Sequence, residues 1–172
     1  PKMEKKGYQV KRGRNGETDI KNYYYQDGTV LYTTDKDNKQ TSFNLIGDNE
    51  NVISTERRSN TGSAWYLYNK DSKMSTSSMV NSAGEVSAVY DYDDFGETSI
   101  RAGADFDNEI CYTGQIMDKN TGLYHYNARF YDQEDGRFVS QDSYRGEQDE
   151  LGTYHLYAYC SNDSINYVDP NG

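Results

Sequence analysis

The sequence predicts an all-β fold made of repeated antiparallel β-hairpins. Short segments rich in Tyr, Thr, Val and Ile alternate with polar turns, and no segment carries the 3.6-residue period of a long helix. Eighteen of the 172 residues are tyrosine, which favours strands and buries a large ring while its hydroxyl stays wettable. Because only 34% of the residues are hydrophobic, we expect a thin, half-solvated sheet.

Composition also restricts the classes of partner. A formal net charge of −10 argues against nucleic acid, because phosphate contacts need clustered Lys and Arg. The chain has no run of about 18 apolar residues, so we expect no membrane span. It opens without a signal-peptide pattern or a recognisable domain start, which predicts a piece of a longer protein.

The predicted strands follow one another at short intervals. Residues 1–21 are charged and glycine-bearing, which predicts a loop or an edge strand. Tyr23–Tyr25 and Thr29–Thr33 are predicted strands joined at Asp27-Gly28, a pair typical of two-residue hairpin turns. Further strands are predicted over residues 41–46, 51–55, 64–68, 74–80 and 85–92, before a polar linker at 98–110.

The last third of the chain has the densest tyrosine clustering. A hairpin-like run covers 123–132, a turn follows at 133–136, and a second extended segment covers 137–142. After a polar insert, Tyr154–Tyr159 is predicted as another strand, so His125 and His155 would both lie in strands.

Metal and disulfide chemistry have little support in the sequence. Cys111 and Cys160 lie 49 residues apart, outside any metal-ligand spacing, and they form either a disulfide or two free thiols. The two histidines lack a third ligand at suitable spacing, so we expect no metal site and no cofactor.

Several motifs resemble a known family. The unit from Gly84 through Tyr90-Asp91 to Gly96 resembles the tyrosine–aspartate (YD) repeats of Rhs proteins, Tc toxin C-subunits and teneurins. Downstream segments are similar, in order, to the Rhs repeat-associated core domain. These segments are Tyr112-Thr-Gly-Gln115, Asp118-Lys-Asn-Thr-Gly-Leu-Tyr124, Asn127-Ala-Arg-Phe-Tyr-Asp132, Gly136-Arg-Phe-Val-Ser140, Leu156-Tyr-Ala-Tyr159 and Val168-Asp-Pro-Asn-Gly172.

The resemblance implies a domain organisation. We predict a charged segment at 1–21, YD repeats at 22–97, a linker at 98–110 and the Rhs core domain at 111–172. In this family the repeats form a β-ribbon that spirals into a hollow shell around a C-terminal toxin, and the core closes one end. The implied partners are the chain's own toxin domain, the upstream shell and an immunity protein. The resemblance implies a protein that is secreted or held on a bacterial surface. It also implies a role in competition between bacteria.

The resemblance also implies an aspartyl autoprotease that cuts just after the Asp-Pro-Asn-Gly motif. The matching positions are Asp142 and Asp169 as the catalytic pair, with Arg129 in support. Two adjacent carboxylates share a proton, so one can activate water while the other polarises the scissile carbonyl. Arg129 would orient a carboxylate through its planar fork.

Two other functions remain open at this stage. In the first, the same residues hold a purely structural cap together: Arg129 forms an ordinary strand-face salt bridge, and Asp169 to Gly172 is a turn sequence. In the second, the chain is an adhesion or carbohydrate-binding module whose tyrosine ladders stack on sugars, although cross-strand packing also accounts for such ladders.

Overall fold

The computed structural model describes residues 3–12, 18–103, 106–144, 155–169 and 172. The chain divides into two compact units. The first unit comprises Pro1–Asn69 and Ser78–Ser87, and the second comprises Lys70–Ser77 and Ala88–Gly172. No α-helix occurs within these described ranges, so the predicted all-β fold is confirmed.

Within the described residues, thirteen strands form two antiparallel sheets. The larger sheet holds nine strands in chain order, and the smaller holds four. The strands of the larger sheet are β1 (Met3–Arg12), β2 (Thr18–Gln26), β3 (Thr29–Thr34), β4 (Gln40–Ile46), β5 (Val52–Ser59), β6 (Gly62–Lys70), β7 (Thr76–Asn81), β8 (Val86–Tyr92) and β9 (Thr98–Ala102). The smaller sheet contains β10 (Ile116–Met117), β11 (Leu123–Tyr126), β12 (Arg129–Asp132) and β13 (Arg137–Phe138). Single 3₁₀ turns occur at Asp48–Glu50, Tyr112–Gly114 and Cys160–Asn162.

One turn geometry recurs in both units. In each copy a side-chain Oδ1 accepts hydrogen bonds from the backbone N–H groups two and four residues later, at 2.8–3.0 Å. The fourth residue of each turn has a positive φ, between 61° and 88°. This side-chain capping explains why an Asp or Asn returns at each of these hairpins. The four turns begin at Asp35, Asp71, Asn81 and Asp93.

The Asp27-Gly28 turn has a different geometry. Both residues have a positive φ, 49° and 89°. The two-residue hairpin turn predicted for this Asp-Gly pair requires a positive φ at both positions. The turn joins β2 to β3, which pair with Gln26 opposite Thr29. This hairpin confirms the prediction made from the Asp-Gly pair.

The buried positions on β3 to β5 of the first unit are mostly polar. Thr33 lies opposite Tyr23 on one side and Ser42 on the other, and the Thr33 and Ser42 hydroxyls are hydrogen-bonded at 2.7 Å. The side-chain amide of Asn44 donates to the Val30 carbonyl at 2.8 Å. Hydroxyl and amide groups can be buried here because they find such partners.

The second unit instead has an aromatic core. Tyr124, Tyr131 and Phe138 occupy neighbouring register positions on three strands. Ring centroids within the core lie 4.8–5.9 Å apart, mostly in edge-to-face or tilted geometry. The fully buried rings are Tyr124, Tyr126, Tyr131, Phe138 and Tyr159.

Two segments differ from the sequence-based expectation. Thr98–Ala102, within the expected linker, forms β9 and pairs with β8, because the capped turn at Asp93 reverses the chain into Thr- and Ile-bearing sequence. The prediction of a strand at Tyr154–Tyr159 is wrong over the described residues 155–159. Residues 155–159 form a turn with one isolated bridge, at Ala158, and Tyr154 lies outside the described residues. The predicted domain boundaries stay a prediction.

Candidate functional site

The centre of the candidate site is the guanidinium of Arg129. The tight hairpin between β11 and β12 places Arg129 opposite Tyr126, at the start of β12. The side chain is only 7% exposed, and its guanidinium carbon lies 3.6 Å from the centroid of the Phe138 ring. Stacking on an aromatic face suits a guanidinium, because it is planar and weakly hydrated.

Both predicted aspartates contact this guanidinium. The Nη2 atom of Arg129 lies 2.9 Å from Oδ2 of Asp142 and 3.5 Å from Oδ2 of Asp169. The two carboxylate side chains are 34% and 28% exposed, so water reaches both. The structure therefore brings together three residues that come from three separate sequence motifs.

A backbone carbonyl connects the arginine to Asp142. The carbonyl of Leu156 accepts a hydrogen bond from Nη1 of Arg129 at 3.2 Å and another from the backbone N–H of Asp142 at 2.8 Å. The Asp142 side chain in turn accepts from the backbone N–H of Tyr144 at 2.8 Å. The segment after β13 is thus fixed so that its carboxylate faces Arg129.

Asp169 is positioned by a hydrogen bond from Gly172. The Gly172 N–H donates to Oδ1 of Asp169 at 2.9 Å, which leaves Oδ2 directed at Arg129. Gly172 has φ +77°, and a Cβ added there would lie 2.6 Å from the Tyr126 carbonyl oxygen. Only glycine fits this position, because another residue would both strain the backbone and clash with β11.

The arrangement differs in one respect from a bare carboxylate pair. A positively charged group lies between the two aspartates, so the site holds one guanidinium against two carboxylates. The single guanidinium partly compensates the charge of the two carboxylates and makes its shorter contact with Asp142.

Two further features surround the site. A cavity of about 300 Å³ opens beside it, lined by Arg137, His155, Leu156, Tyr157, Ala158 and Asn162. The nearby Cys160 is a free thiol whose pKa is raised to about 11, chiefly by burial and further by the charge of Asp169. A thiol with such a pKa is protonated at neutral pH and is a poor nucleophile. The carboxylates are therefore the better candidates for chemistry.

Cys111 is also a free thiol, so the two cysteines are unpaired with each other. Burial raises the pKa of Cys111 to about 12. Among the residues that the structure describes, no group of three His, Cys, Asp or Glu side chains is placed to hold a metal ion. The described part of the chain also contains no helix long and apolar enough to cross a membrane.

Sequence reasoning missed three parts of this site. The Leu156 carbonyl carries no side-chain signal, and the stacking ring of Phe138 was noted only as part of a motif. The requirement for Gly172 could have been inferred from its place in the Asp-Pro-Asn-Gly turn, because such a turn ends with a positive φ at glycine.

Stacked antiparallel hairpins with aromatic strands and Asp- or Asn-capped turns define a YD-repeat shell protein. The comparison with protein families agrees: residues 6–165 match the teneurin YD-shell family model, and the chain belongs to that family.

Several known proteins are similar to the chain. It is 31% identical over 175 residues to the tRNA3(Ser)-specific nuclease WapA of Bacillus spizizenii, covering 99% of the chain and 7% of that relative. It is 32% identical over 98 residues to double-stranded DNA deaminase toxin A of Burkholderia cenocepacia, covering 55% of the chain and 6% of that toxin. The chain thus spans a small fraction of these relatives.

A solved structure shares the fold. The crystal structure of TcdB2-TccC3-Cdc42 superposes with a TM-score of 0.66 at 19% identity, over 96% of this chain and 9% of that one. The similarity to this structure supports the YD-shell fold of the chain.

Proposed function

We propose that the chain is the closing part of a YD-repeat toxin shell, and that its Arg129–Asp142–Asp169 site cuts the polypeptide just after Gly172. The cut would free a C-terminal toxin domain that the shell encloses. Relatives named as a tRNA-specific nuclease and as a DNA deaminase toxin support a toxin cargo. Its partners would be that toxin, the preceding shell repeats and an immunity protein, and it would act outside the cell or at a bacterial surface.

One observation carries the proposal. Arg129 and Asp169, 40 residues apart in the chain, meet at the guanidinium that also holds Asp142. The same Asp169 accepts a hydrogen bond from the Gly172 N–H. Asp169 therefore contacts the residue after which the cleavage is proposed, and both carboxylates are accessible to water.

The proposed reaction is peptide hydrolysis with two carboxyl groups in different roles. Asp142, which lies at the shorter distance from Arg129, acts as the general base and takes a proton from water. The hydroxide attacks the Gly172 carbonyl carbon while Asp169 supplies a proton to the carbonyl oxygen. The C–N bond to the next residue then breaks as the amine takes the proton that Asp142 collected, and one hydroxyl of the intermediate returns its proton to Asp169. Arg129 positions both carboxylates and does not exchange a proton.

A fusion protein tests this reaction. A reporter domain is joined directly after Gly172, and the purified product is followed by gel electrophoresis and mass spectrometry. Self-cleavage predicts a fragment of 19.7 kDa that ends at Gly172. Release should disappear with Asp142→Asn and with Asp169→Asn, because an amide can neither accept nor donate the required proton.

Asp132→Asn is the matched control. Asp132 is another turn aspartate of the second unit, and its Oδ1 accepts from the Glu134 backbone N–H at 3.0 Å. Asparagine can make that hydrogen bond equally well, as Asn81 does in its own turn. This variant should cleave like the parent. Near-ultraviolet circular dichroism verifies that all variants keep the aromatic core, and an intact parent fusion would refute the proposal.

A second candidate, a non-catalytic latch, has its own supporting observation. Arg129 is buried and stacked on Phe138, and Gly172 is packed against β11. Such contacts would fasten the end of the chain to the aromatic core without cutting it. The latch predicts a fusion that stays intact but loses stability when Arg129 is replaced.

A further inference from the structure

The first unit has an open groove, unrelated to the Arg129 site. The groove has a volume of about 700 Å³ and lies on the sheet face opposite Thr33 and Ser42. Its lining consists of Tyr24, Leu31, Tyr32, Thr34, Asn38, Gln40, Phe43, Glu56, Arg58 and Trp65.

A row of side chains across five strands forms the floor of this groove. Tyr24 lies opposite Tyr32 in the register, Tyr32 opposite Phe43, Phe43 opposite Glu56, and Glu56 opposite Trp65. The Tyr24 and Tyr32 rings are stacked, with centroids 4.4 Å apart and planes 11° from parallel. Trp65 is 40% exposed. Four aromatic side chains therefore form one partly exposed row, the aromatic platform, in which the Tyr24 and Tyr32 rings lie face to face.

Beside the platform lies a network of polar planar groups. Arg58 donates to one Glu56 oxygen through Nε at 2.9 Å and through Nη2 at 2.7 Å. Its Nη1 donates to Oε1 of Gln40 at 2.9 Å. These bonds hold the Arg58 fork in a fixed orientation next to the rings. The hydrogen bond from Arg58 also lowers the pKa of Glu56, which keeps that carboxylate an acceptor at neutral pH.

We propose that this groove binds a neutral oligosaccharide. The rings offer apolar faces on which the C–H faces of sugar rings can stack, and the surrounding carboxylate, guanidinium and amide groups match hydroxyl groups that both donate and accept. Small-molecule sites commonly combine an aromatic surface with a few fixed polar groups in this way.

The lining selects this ligand class over others. Glu56 and Arg58 are the charged side chains of the lining and cancel each other, so the groove favours a ligand without net charge. A nucleic acid would need clustered positive charge. An apolar peptide would need aliphatic side chains in the groove, where Leu31 is the one aliphatic residue among the ten lining residues.

The chain carries its own reporter for this test. Trp65 is the one tryptophan of the sequence, so fluorescence reports directly on the groove. The 172-residue chain is titrated with three neutral tetrasaccharides, cellotetraose, maltotetraose and chitotetraose, and with an aromatic tetrapeptide. We expect a saturable change of Trp65 fluorescence with at least one sugar, with a dissociation constant of about 1 mM or tighter.

Two variants and one control locate the binding. Tyr32→Ala removes part of the platform and Arg58→Ala removes the polar fork, and each should weaken sugar binding about tenfold, close to 1.4 kcal/mol. Leu67→Ala is the control, because Leu67 is exposed on the same strand as Trp65 but does not line the groove. Arg58 is 42% exposed, so its removal should leave the fold intact.

Three results would overturn the inference. The first is no fluorescence change with any of the three sugars at about 10 mM, a concentration tenfold above the expected limit of the dissociation constant, or roughly 1.4 kcal/mol. The second is sugar binding that the two groove variants leave unchanged. The third is a response to the tetrapeptide alone. Because the test reads a groove in the first unit, its failure would leave the self-cleavage proposal untouched.

Discussion

The two units of the molecule bury different kinds of side chain. In the first unit the buried positions between β3 and β5 are mainly hydroxyl and amide groups, whereas the second unit buries a cluster of tyrosine and phenylalanine rings. The polar set is Thr33, Ser42, Asn44, Ser54 and Thr55, each no more than 4% exposed. The aromatic set is Tyr124, Tyr126, Tyr131, Phe138 and Tyr159, each no more than 1% exposed.

This difference indicates how each unit is stabilised. Buried hydroxyl groups contribute little apolar area, so β3 to β5 of the first unit depend more on strand pairing between chain neighbours and on capped turns. Buried rings contribute much more apolar area and collect residues from distant parts of the chain. Only the second kind of packing brings Arg129, Asp142 and Asp169 to one place.

The largest expected effect is a loss of the second unit at alkaline pH. Among the described residues, burial raises the pKa of six tyrosines and two cysteines, with Cys160 at about 11 and both Tyr159 and Cys111 at about 12. The unfolded chain ionises these groups near pH 9 to 10, where the folded unit still holds their protons. The folded state then binds more protons, so stability falls as pH rises. The remaining tyrosines are Tyr92, Tyr112, Tyr124, Tyr126 and Tyr131.

Lys70 gives a smaller effect of opposite sign. Burial lowers its pKa to about 8, so the fold disfavours its charged form and gains stability between pH 8 and 10.5 as the proton is lost. We expect the eight acidic groups to prevail above pH 10. Tyrosinate absorbance and near-ultraviolet circular dichroism should change together in a cooperative step. Gradual ionisation with the ring signal retained would contradict the aromatic core.

The second largest effect compares one turn in both units. Gly84 and Gly96 hold the same place in two capped turns, with φ of +81° and +88°. A Cβ at Gly84 meets nothing within 4 Å, but one at Gly96 lies 2.5 Å from the buried Tyr112 ring. Gly84→Ala should cost about 1–2 kcal/mol from backbone strain alone, and Gly96→Ala about 2–5 kcal/mol. Urea unfolding measures both, and equal losses would show that the Gly96 turn is not packed on the core.

The third effect isolates the buried ion pair. Arg129→Met keeps apolar packing on Phe138 but leaves two carboxylates without their cation, which should cost about 2–4 kcal/mol. The figure lies below that of a fully buried pair because water reaches both aspartates. The control is Arg101→Met. Arg101 pairs with Asp91 at 2.8 Å, but both side chains are more than half exposed, so the loss should stay under about 1 kcal/mol. Equal losses of unfolding free energy in the two variants would mean that the Arg129 ion pairs contribute no more to stability than an exposed surface pair.

The smallest effect tests the polar interior of the first unit. Thr55 is fully buried, and its hydroxyl has no hydrogen-bond partner among the described residues. Thr55→Val should therefore stabilise the first unit by about 1 kcal/mol. Thr33→Val is the matched comparison, because the Thr33 hydroxyl bonds Thr41 and Ser42 at 2.7 Å, and it should destabilise by about 1–2 kcal/mol. If both variants change the unfolding free energy in the same direction, hydrogen bonding does not decide stability on this face.

Much of the first unit could be predicted from the sequence, because its signals are local. The Asp27-Gly28 pair and the Asp or Asn at each capped turn fix where the chain reverses, and alternating strands then pair with their neighbours. β9 was missed because its five residues contain only one large apolar side chain, Ile100, so the segment resembles a polar linker.

The site could be predicted only in part. Family motifs indicated Arg129, Asp142 and Asp169, but nothing in the sequence placed a guanidinium between the two carboxylates. The tyrosine-rich sequence at 155–159 favours a strand, whereas the chain forms a turn there. Its backbone instead supplies carbonyl groups to Phe138, Asp142 and Arg129, and such acceptors are invisible in side-chain patterns.

The most direct test of the account asks where the oxygen of the new carboxyl group comes from. The reporter fusion is matured in water enriched in heavy oxygen, and the fragment ending at Gly172 is analysed by mass spectrometry. Hydrolysis by Asp142 and Asp169 predicts one heavy oxygen in the Gly172 carboxylate, and none of this product in the Asp142→Asn variant. A fragment without heavy oxygen, or an intact fusion, would contradict carboxylate-activated water as the chemistry of this site.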